Sequence, residues 1–325
     1  MTHSVVIEAY GGPEVLCPCI TAPGKPGPGQ VAILHTRIGV NFHDVYVRNG
    51  QYQTLALPGI PGIEAIGIVT ETGSGNSRFK KGDRIAYVTG EYGVYTTERV
   101  IAEDKLSIVP DDITDQQAAS VLLRGLTANM LTRTVGRIGP SSKVLIHGAA
   151  GGMGLLLCQW ASNLGALVIG TVRTDEQAQR ALRAGCNDII YYKQDTVHER
   201  VHELTLGQGV DTVYDGVGKE TFEESLRSLA MCGHLINYGQ TSGGVPPVEL
   251  SRLAEKSVTL TRPVIFHYLQ HPKVRETMTA EVFTALREGW LSVPAPEEFP
   301  LSRAADAHRR IESQGAGTPI LLVPE

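Results

Sequence analysis

From Lys143 onward, short runs of consecutive apolar residues alternate with segments in which apolar positions recur every three or four residues. The runs KVLIHGA, ALVIGTV, NDIIYY, VDTVYDGVG, HLINYG and SVTLTRP read as strands, because a strand covered on both faces is apolar along its whole length. Between them, GLLLCQWASNLG, TDEQAQRALRAG, TVHERVHELTLG, TFEESLRSLAMCG and PVELSRLAEK carry the spacing of helices packed on one face. Thr174 stands at an N-cap position, and Gly165 and Gly185 stand where helices stop. Six strands alternating with helices predict an α/β unit built on a doubly wound parallel sheet.

Residues 1–120 are patterned differently. VVIEAY, GQVAILHTRIGV, EAIGIVTETGSG and DRIAYVTG are short β runs separated by Gly/Pro clusters, which predicts a β-rich region. One short helix, NFHDVYVRNG, interrupts it, and TDQQAASVLLRGLTANMLTRT forms a long helical passage into the α/β region. After residue 263 come two amphipathic helices, PKVRETMTAEVFTALREG and RAADAHRRIESQ, and a last strand, PILLVP.

Composition narrows the class. At 325 residues the chain exceeds the ~250–300 at which single cores stop growing, so two domains are expected. A hydrophobic fraction of 42% and a charged fraction of 19% describe a globular protein. The formal net charge is −5 and no basic block is longer than FKKGDR, which counts against nucleic acid as a partner. No apolar run reaches the ~18–20 residues of a membrane span. The opening MTHSVVIEAYGG has neither the basic nor the apolar part of a signal peptide, so a cytoplasmic location is expected. Five cysteines, an odd number without a dense framework, read as reduced thiols, and Cys17-Pro-Cys19 lacks a second ligand pair at metal-site spacing.

The candidate chemistry lies at HGAAGGMG, which closes the first α/β strand and opens the first helix. Ala149, Gly151 and Gly154 fill the slots of a G-x-G-x-x-G turn, so the amides of residues 151–154 can hold a pyrophosphate. Enzymes that prefer NAD carry an acid at the end of the second strand, whereas here that strand ends IGTVRT. Gly170 and Thr171 leave room there, and the guanidinium of Arg173 suits a 2′-phosphate, which points to NADPH. A competing motif, HERVH at residues 198–202, matches the zinc peptidase pattern H-E-x-x-H. It falls mid-helix beside the stripe Val197, Val201 and Leu204, along a face of the sheet and away from the strand ends where ligands gather, and Glu220 and Glu223 belong to the next βα unit. It is expected to be an ordinary surface helix.

Taken together, GGPEVL, GVNFHDVYVRNGQY, PGIEAIGIV, KKGDRIAY, LLRGLTA, HGAAGGMG, GTVRT, VYDGVG, NYGQTSG and TRP resemble, in order and spacing, the zinc-free quinone oxidoreductases of the medium-chain dehydrogenase/reductase superfamily. The resemblance implies a GroES-like catalytic domain over residues 1–122, a Rossmann domain over 123–263 with a six-stranded sheet, and a segment 264–325 that returns to the catalytic domain, with NADPH in a cleft between the domains. Zinc-containing relatives carry a cysteine near the short helix and a G-H-E motif on the next strand. Here the positions read Asn41-Phe42-His43-Asp44 and Gly62-Ile63-Glu64, and without soft ligands no metal site is expected, His43 alone being a poor substitute.

The same resemblance implies that Asn41, Tyr46, Tyr52 and Thr127 face the nicotinamide or substrate, the two phenols being able to stabilise an oxyanion or relay a proton. Cofactor contacts are implied for Asn41, Thr127, Gly151, Gly152, Met153, Gly170, Thr171, Arg173, Tyr192, Gly216, Tyr238 and Gln240, with Lys193 adding positive charge. The chain departs from relatives at Gln177, where they have lysine, near Gln314, where they have arginine, and at Gly216, where serine is common. The activity implied is metal-free, NADPH-dependent reduction of quinones. Reduction of α,β-unsaturated carbonyls, or a non-catalytic role binding AU-rich RNA while holding NADPH, are the alternatives. Relatives pair as homodimers through the edge strand that is SVTLTRP here.

Overall fold

The computed structural model describes residues 2–313 and 317–325. The chain forms two units, one of Met1–Leu123, Phe266–Glu288 and Val293–Glu325, the other of Arg124–Ile265 and Gly289–Ser292. In the second unit the six strands are Lys143–Ile146, Leu167–Val172, Asp188–Tyr191, Val210–Asp215, Leu229–Asn237 and Thr259–Thr261. They lie in the order third, second, first, fourth, fifth, sixth, and every neighbouring pair is parallel. The order reverses between the first and fourth strands, and the groove this opens at the carboxyl ends is where ligands of such sheets bind.

The local signals behave as their chemistry requires. Thr174 accepts from the Gln177 N–H and caps the helix Asp175–Arg183, and Gly185 takes a left-handed conformation (φ 102°) where that helix ends. The helix Val197–Leu204 buries Val197 and Val201 and packs Leu204 against the same core. Two elements differ from expectation. The helix after the fourth strand stops at Ser228, and Leu229 begins the fifth strand instead of another helical turn. Leu229 pairs with Val210 and is wholly buried, so pairing and burial on the sheet override its helical spacing. The chain then bulges through Cys232, at φ 60°, before pairing resumes at His234. The helix expected over PVELSRLAEK is limited to Leu250–Ala254, with Val248 and Leu253 packed against the core.

The first unit is built on a mostly antiparallel seven-stranded sheet. Its long strand Gln30–Val40 pairs with Glu64–Thr72 and Glu98–Ala102, and the late strand Ile320–Val323 adds to its far end. Four strands have no clear pattern in the sequence: Glu98–Ala102, Ser107–Ile108, Glu297–Pro300 and Cys17–Thr21. Glu297–Pro300 runs parallel to Ile320–Val323, and Cys17–Thr21 pairs with Thr2–Val6, which makes Cys17-Pro-Cys19 part of a β ribbon. Among the described residues, no helix is long and apolar enough to cross a membrane.

Candidate functional site

In the second unit the implied cofactor residues gather at one edge of the sheet. Each lies at or just beyond the carboxyl end of a strand: Gly151, Gly152 and Met153 after the first, Gly170, Thr171 and Arg173 at the second, Tyr192 and Lys193 after the third, Gly216 after the fourth, Tyr238 and Gln240 after the fifth. The Gly151 N–H, expected to face the pyrophosphate, instead donates to the Gly148 carbonyl at 2.9 Å and closes the turn. The helix Gly152–Asn163 then starts with no capping side chain and no acid in its first turn, so the N–H groups of residues 152–154 and the dipole remain available to an anion. A Cβ on Gly154 would lie 2.2 Å from the Gly148 carbonyl oxygen. Glycine is required there for the helix to approach the turn.

The second strand end serves the turn more than expected. The bare Cα of Gly170 faces the Ala149 methyl and the Cys186 sulfur, each 2.7 Å from where a Cβ would be, so the room expected for a ligand is filled by packing. The buried Thr171 hydroxyl accepts from the Gly148 N–H at 3.1 Å and lies 3.3 Å from His147 Nδ1. The Gln177 amide oxygen accepts from the Arg173 N–H at 2.8 Å, so the residue standing where relatives have lysine secures the backbone, while the Arg173 side chain is exposed. Lys193 Nζ lies 5.4 Å from the centroid of the Tyr192 ring. Gly216 and Tyr238 fit each other closely, a Cβ at 216 falling 2.7 Å from the phenol. Gln314 lies outside the described residues. Thr127 lies half-buried on the helix Asp115–Asn129, in the part assigned to this unit.

In the first unit Asn41 is the N-cap of the helix Phe42–Arg48. Its backbone N–H donates to Asp44 Oδ2 at 2.8 Å, and its side-chain amide donates to Glu64 Oε1 at 2.6 Å. Glu64 Oε2 accepts from the Leu123 N–H at 2.8 Å. Burial pushes the Asp44 carboxyl up to about 8, the Glu64 carboxylate adding to the rise and the Asn41 N–H opposing it. Tyr46 and Tyr52 come together edge to face, with ring centroids 5.2 Å apart. Phe42 lies 6.3 Å from Tyr46 and His43 5.6 Å from Tyr52. His43 is therefore part of an aromatic patch, with Phe266 at 5.5 Å and a hydrogen bond to the Tyr92 hydroxyl at 3.0 Å.

Several supporting residues had no signature in the sequence. Arg48, 2% exposed, forms two hydrogen bonds with the Glu312 carboxylate at 3.0 and 2.8 Å and donates to Gly11 O. The same guanidinium meets His308 Nδ1 at 3.3 Å, and His308 Nε2 meets the Tyr95 hydroxyl at 2.9 Å. Burial holds His308 down to about 3, with Arg48 adding to the effect, so the imidazole is neutral. This network ties the helix bearing Tyr46 to the helix Ala304–Ser313, some 260 positions away, a distance no local pattern reports. Asp215 had a visible signal, an acid ending an apolar run. Its carboxylate accepts from the N–H groups of Val217 and Gly218 and from the Thr221 and Ser225 hydroxyls, and so shapes the turn that carries Gly216.

HERVH is occupied with holding helices together. His198 Nδ1 and its own N–H both meet Glu224 Oε2, at 3.0 and 2.9 Å. Both ring nitrogens of His202 face main-chain carbonyls, of Gly207 and Arg227, at 3.2 Å. Glu223 is paired with Arg252. Among the described residues, no group of three or more His, Cys, Asp or Glu side chains is arranged to hold a metal ion.

Known proteins share this architecture. The model of the alcohol dehydrogenase GroES-like domain matches residues 27–111, and that of the zinc-binding dehydrogenase matches residues 152–281. The quinone oxidoreductase of Pseudomonas aeruginosa is 40% identical over 325 residues, covering 100% of both chains. The 2-haloacrylate reductase of a Burkholderia species is 37% identical over 335 residues, again covering 100% of both. The crystal structure of Escherichia coli quinone oxidoreductase complexed with NADPH matches with a TM-score of 0.94 at 38% identity, covering 100% of each chain. With that identity spanning a GroES-like β unit and a six-stranded Rossmann sheet, the chain belongs to the quinone oxidoreductase family of the medium-chain dehydrogenase/reductase superfamily.

Proposed function

We propose that this protein is an NADPH-dependent oxidoreductase that reduces quinones without a metal at the reacting centre. The observation that carries this reading is the uncapped helix at Gly151, with its glycine-only approach at Gly154, set among the other implied cofactor residues at the carboxyl edge of the sheet. These residues fit a dinucleotide: amides 152–154 hold its diphosphate, Tyr238 packs where Gly216 leaves space, and Arg173 with Lys193 attracts a 2′-phosphate. When bound, the reduced nicotinamide supplies a hydride. Asn41 and Thr127 orient its ring, and Tyr46 and Tyr52 offer hydroxyls to the oxygen of the acceptor that becomes negative. Asn41 and Glu64 are hydrogen-bonded to each other, and neither brings the thiolate or imidazole that a catalytic zinc needs.

An α,β-unsaturated carbonyl is the second acceptor class, favoured by the identity to a protein named 2-haloacrylate reductase. The protein acts as a homodimer in the cytoplasm, pairing through the edge strand Thr259–Thr261. The deciding experiment follows NADPH oxidation with a panel of benzoquinones and naphthoquinones beside a panel of enones. The expected result is a kcat/KM at least about tenfold higher for quinones, a difference of about 1.4 kcal/mol in transition-state stabilisation. Preference for enones reverses the two readings. No oxidation with any acceptor, together with retention of AU-rich RNA on a filter at physiological salt, replaces both with the binding role.

A further inference from the structure

Reducing a quinone by a hydride leaves one oxygen anionic, and the hydroquinone forms only when a proton also arrives. The balance is quinone plus NADPH plus one proton giving hydroquinone plus NADP+. The hydride leaves the nicotinamide with its electron pair, and the proton comes from solvent. The aromatic patch of the first unit contains a hydrogen-bonded chain from the surface to His43, whose ring lies against Tyr52. Thr54 is exposed, its hydroxyl lies 2.5 Å from the Tyr92 hydroxyl, and the Tyr92 hydroxyl lies 3.0 Å from His43 Nε2. The His43 ring then stands 5.6 Å from Tyr52, which meets Tyr46 at 5.2 Å.

We propose that Thr54, Tyr92 and His43 form a proton path that carries a solvent proton to an acceptor reduced beside Tyr52 and Tyr46; this rests on the quinone reductase reading above. Each group both donates and accepts, which a relay demands. Hydroxyls do so by rotation, and a neutral imidazole does so by taking a proton at Nε2 while releasing one at Nδ1. Burial supports these states, holding the His43 ring down to about 4, so that it is neutral in use, and raising the Tyr92 phenol, so that it keeps its proton. The ring orientation is fixed by stacking on Tyr92, with centroids 6.0 Å apart and planes 20° apart, and by the edge contact with Phe266.

Two substitutions cut the route without removing packing, Tyr92→Phe and the exposed Thr54→Val. With a quinone acceptor each should lower kcat at least about fivefold and raise the solvent deuterium isotope effect on kcat, while the NADPH dissociation constant read by fluorescence stays within about twofold. His43→Ala should recover turnover when free imidazole is added. In the uncomplexed wild-type protein, nitrogen NMR should show His43 Nε2 hydrogen-bonded, and Tyr92→Phe should abolish that signature. Wild-type kcat and isotope effect in both variants would overturn the path while leaving the reductase reading intact. A wild-type protein inert to every quinone would overturn both.

Discussion

The two units prepare for chemistry in opposite ways. In the Rossmann unit the candidate site is mainly backbone: amides at a helix start, and a glycine whose missing side chain lets Gly154 reach the Gly148 carbonyl. In the β-rich unit it is made of side chains, where Asn41 is oriented by a buried carboxylate, and the helix carrying Tyr46 is held by a buried arginine. A site made of amides tolerates changes in side-chain identity but not an added Cβ. A site made of side chains depends on the identity of partners that are distant in sequence.

The sharpest way to break that contrast is Gly154→Ala. The new methyl must displace backbone, so a loss of about 1–3 kcal/mol of stability is expected, with NADPH affinity falling more than tenfold, read by thermal melting and fluorescence titration. Unchanged affinity would show that the turn does not depend on that approach. For the β-rich unit, Glu64→Gln puts an N–H where one of two donors, Asn41 Nδ2 or the Leu123 N–H, needs an acceptor. The cost is about 1–3 kcal/mol, and kcat should fall more than the NADPH dissociation constant changes.

At the edge of the Rossmann unit, Arg173→Ala should raise KM for NADPH roughly tenfold or more, as loss of a charge-assisted pair implies, and leave KM for NADH almost unchanged. Equal changes with the two nucleotides would remove Arg173 from phosphate recognition. Asp44 offers a titration. Its carboxyl stays protonated up to about 8 in the fold but ionises near about 3.9 in the unfolded chain, so the folded state binds more protons across that window and loses stability as pH rises through it. Asp44→Asn lacks that slope. The melting temperature of the variant minus that of the wild type should therefore grow between pH 4 and pH 8, and a constant difference would contradict the raised value. The smallest effect is expected from His198→Ala, which removes a half-buried contact with Glu224. Stability should drop by about 1 kcal/mol with kcat unchanged; lost activity would return HERVH to consideration as a functional motif.

The parallel sheet was legible because its physics is local. A strand buried on both faces must be apolar throughout, a helix on its face must repeat every three or four residues, and Thr174 and Gly185 cap and stop by chemistry that acts within one turn. The fifth strand departed from its pattern because Leu229 has a helical neighbour relation and a sheet partner, and pairing with Val210 is invisible along the chain. The strand Glu297–Pro300 was hidden for the same reason, its partner being Ile320–Val323. Gly170 shows a subtler limit: a glycine at a strand end reads as space for a ligand, yet Ala149 and Cys186 fill that space.

By itself the sequence determined the doubly wound α/β class, the turn at residues 148–154 and the residue types offered at each strand end, since periodicity, glycine freedom and capping are properties of a few adjacent residues. Tertiary structure alone decided that Glu64 orients Asn41, that Arg48 reaches His308 and Glu312, that His198 and His202 bind helices together, and that His43 joins Tyr92 and Thr54. Those are side-chain contacts made across sheet registers and between helices. Around Glu64 and Arg48, burial makes them both strong and specific, and burial is a property of the folded chain as a whole.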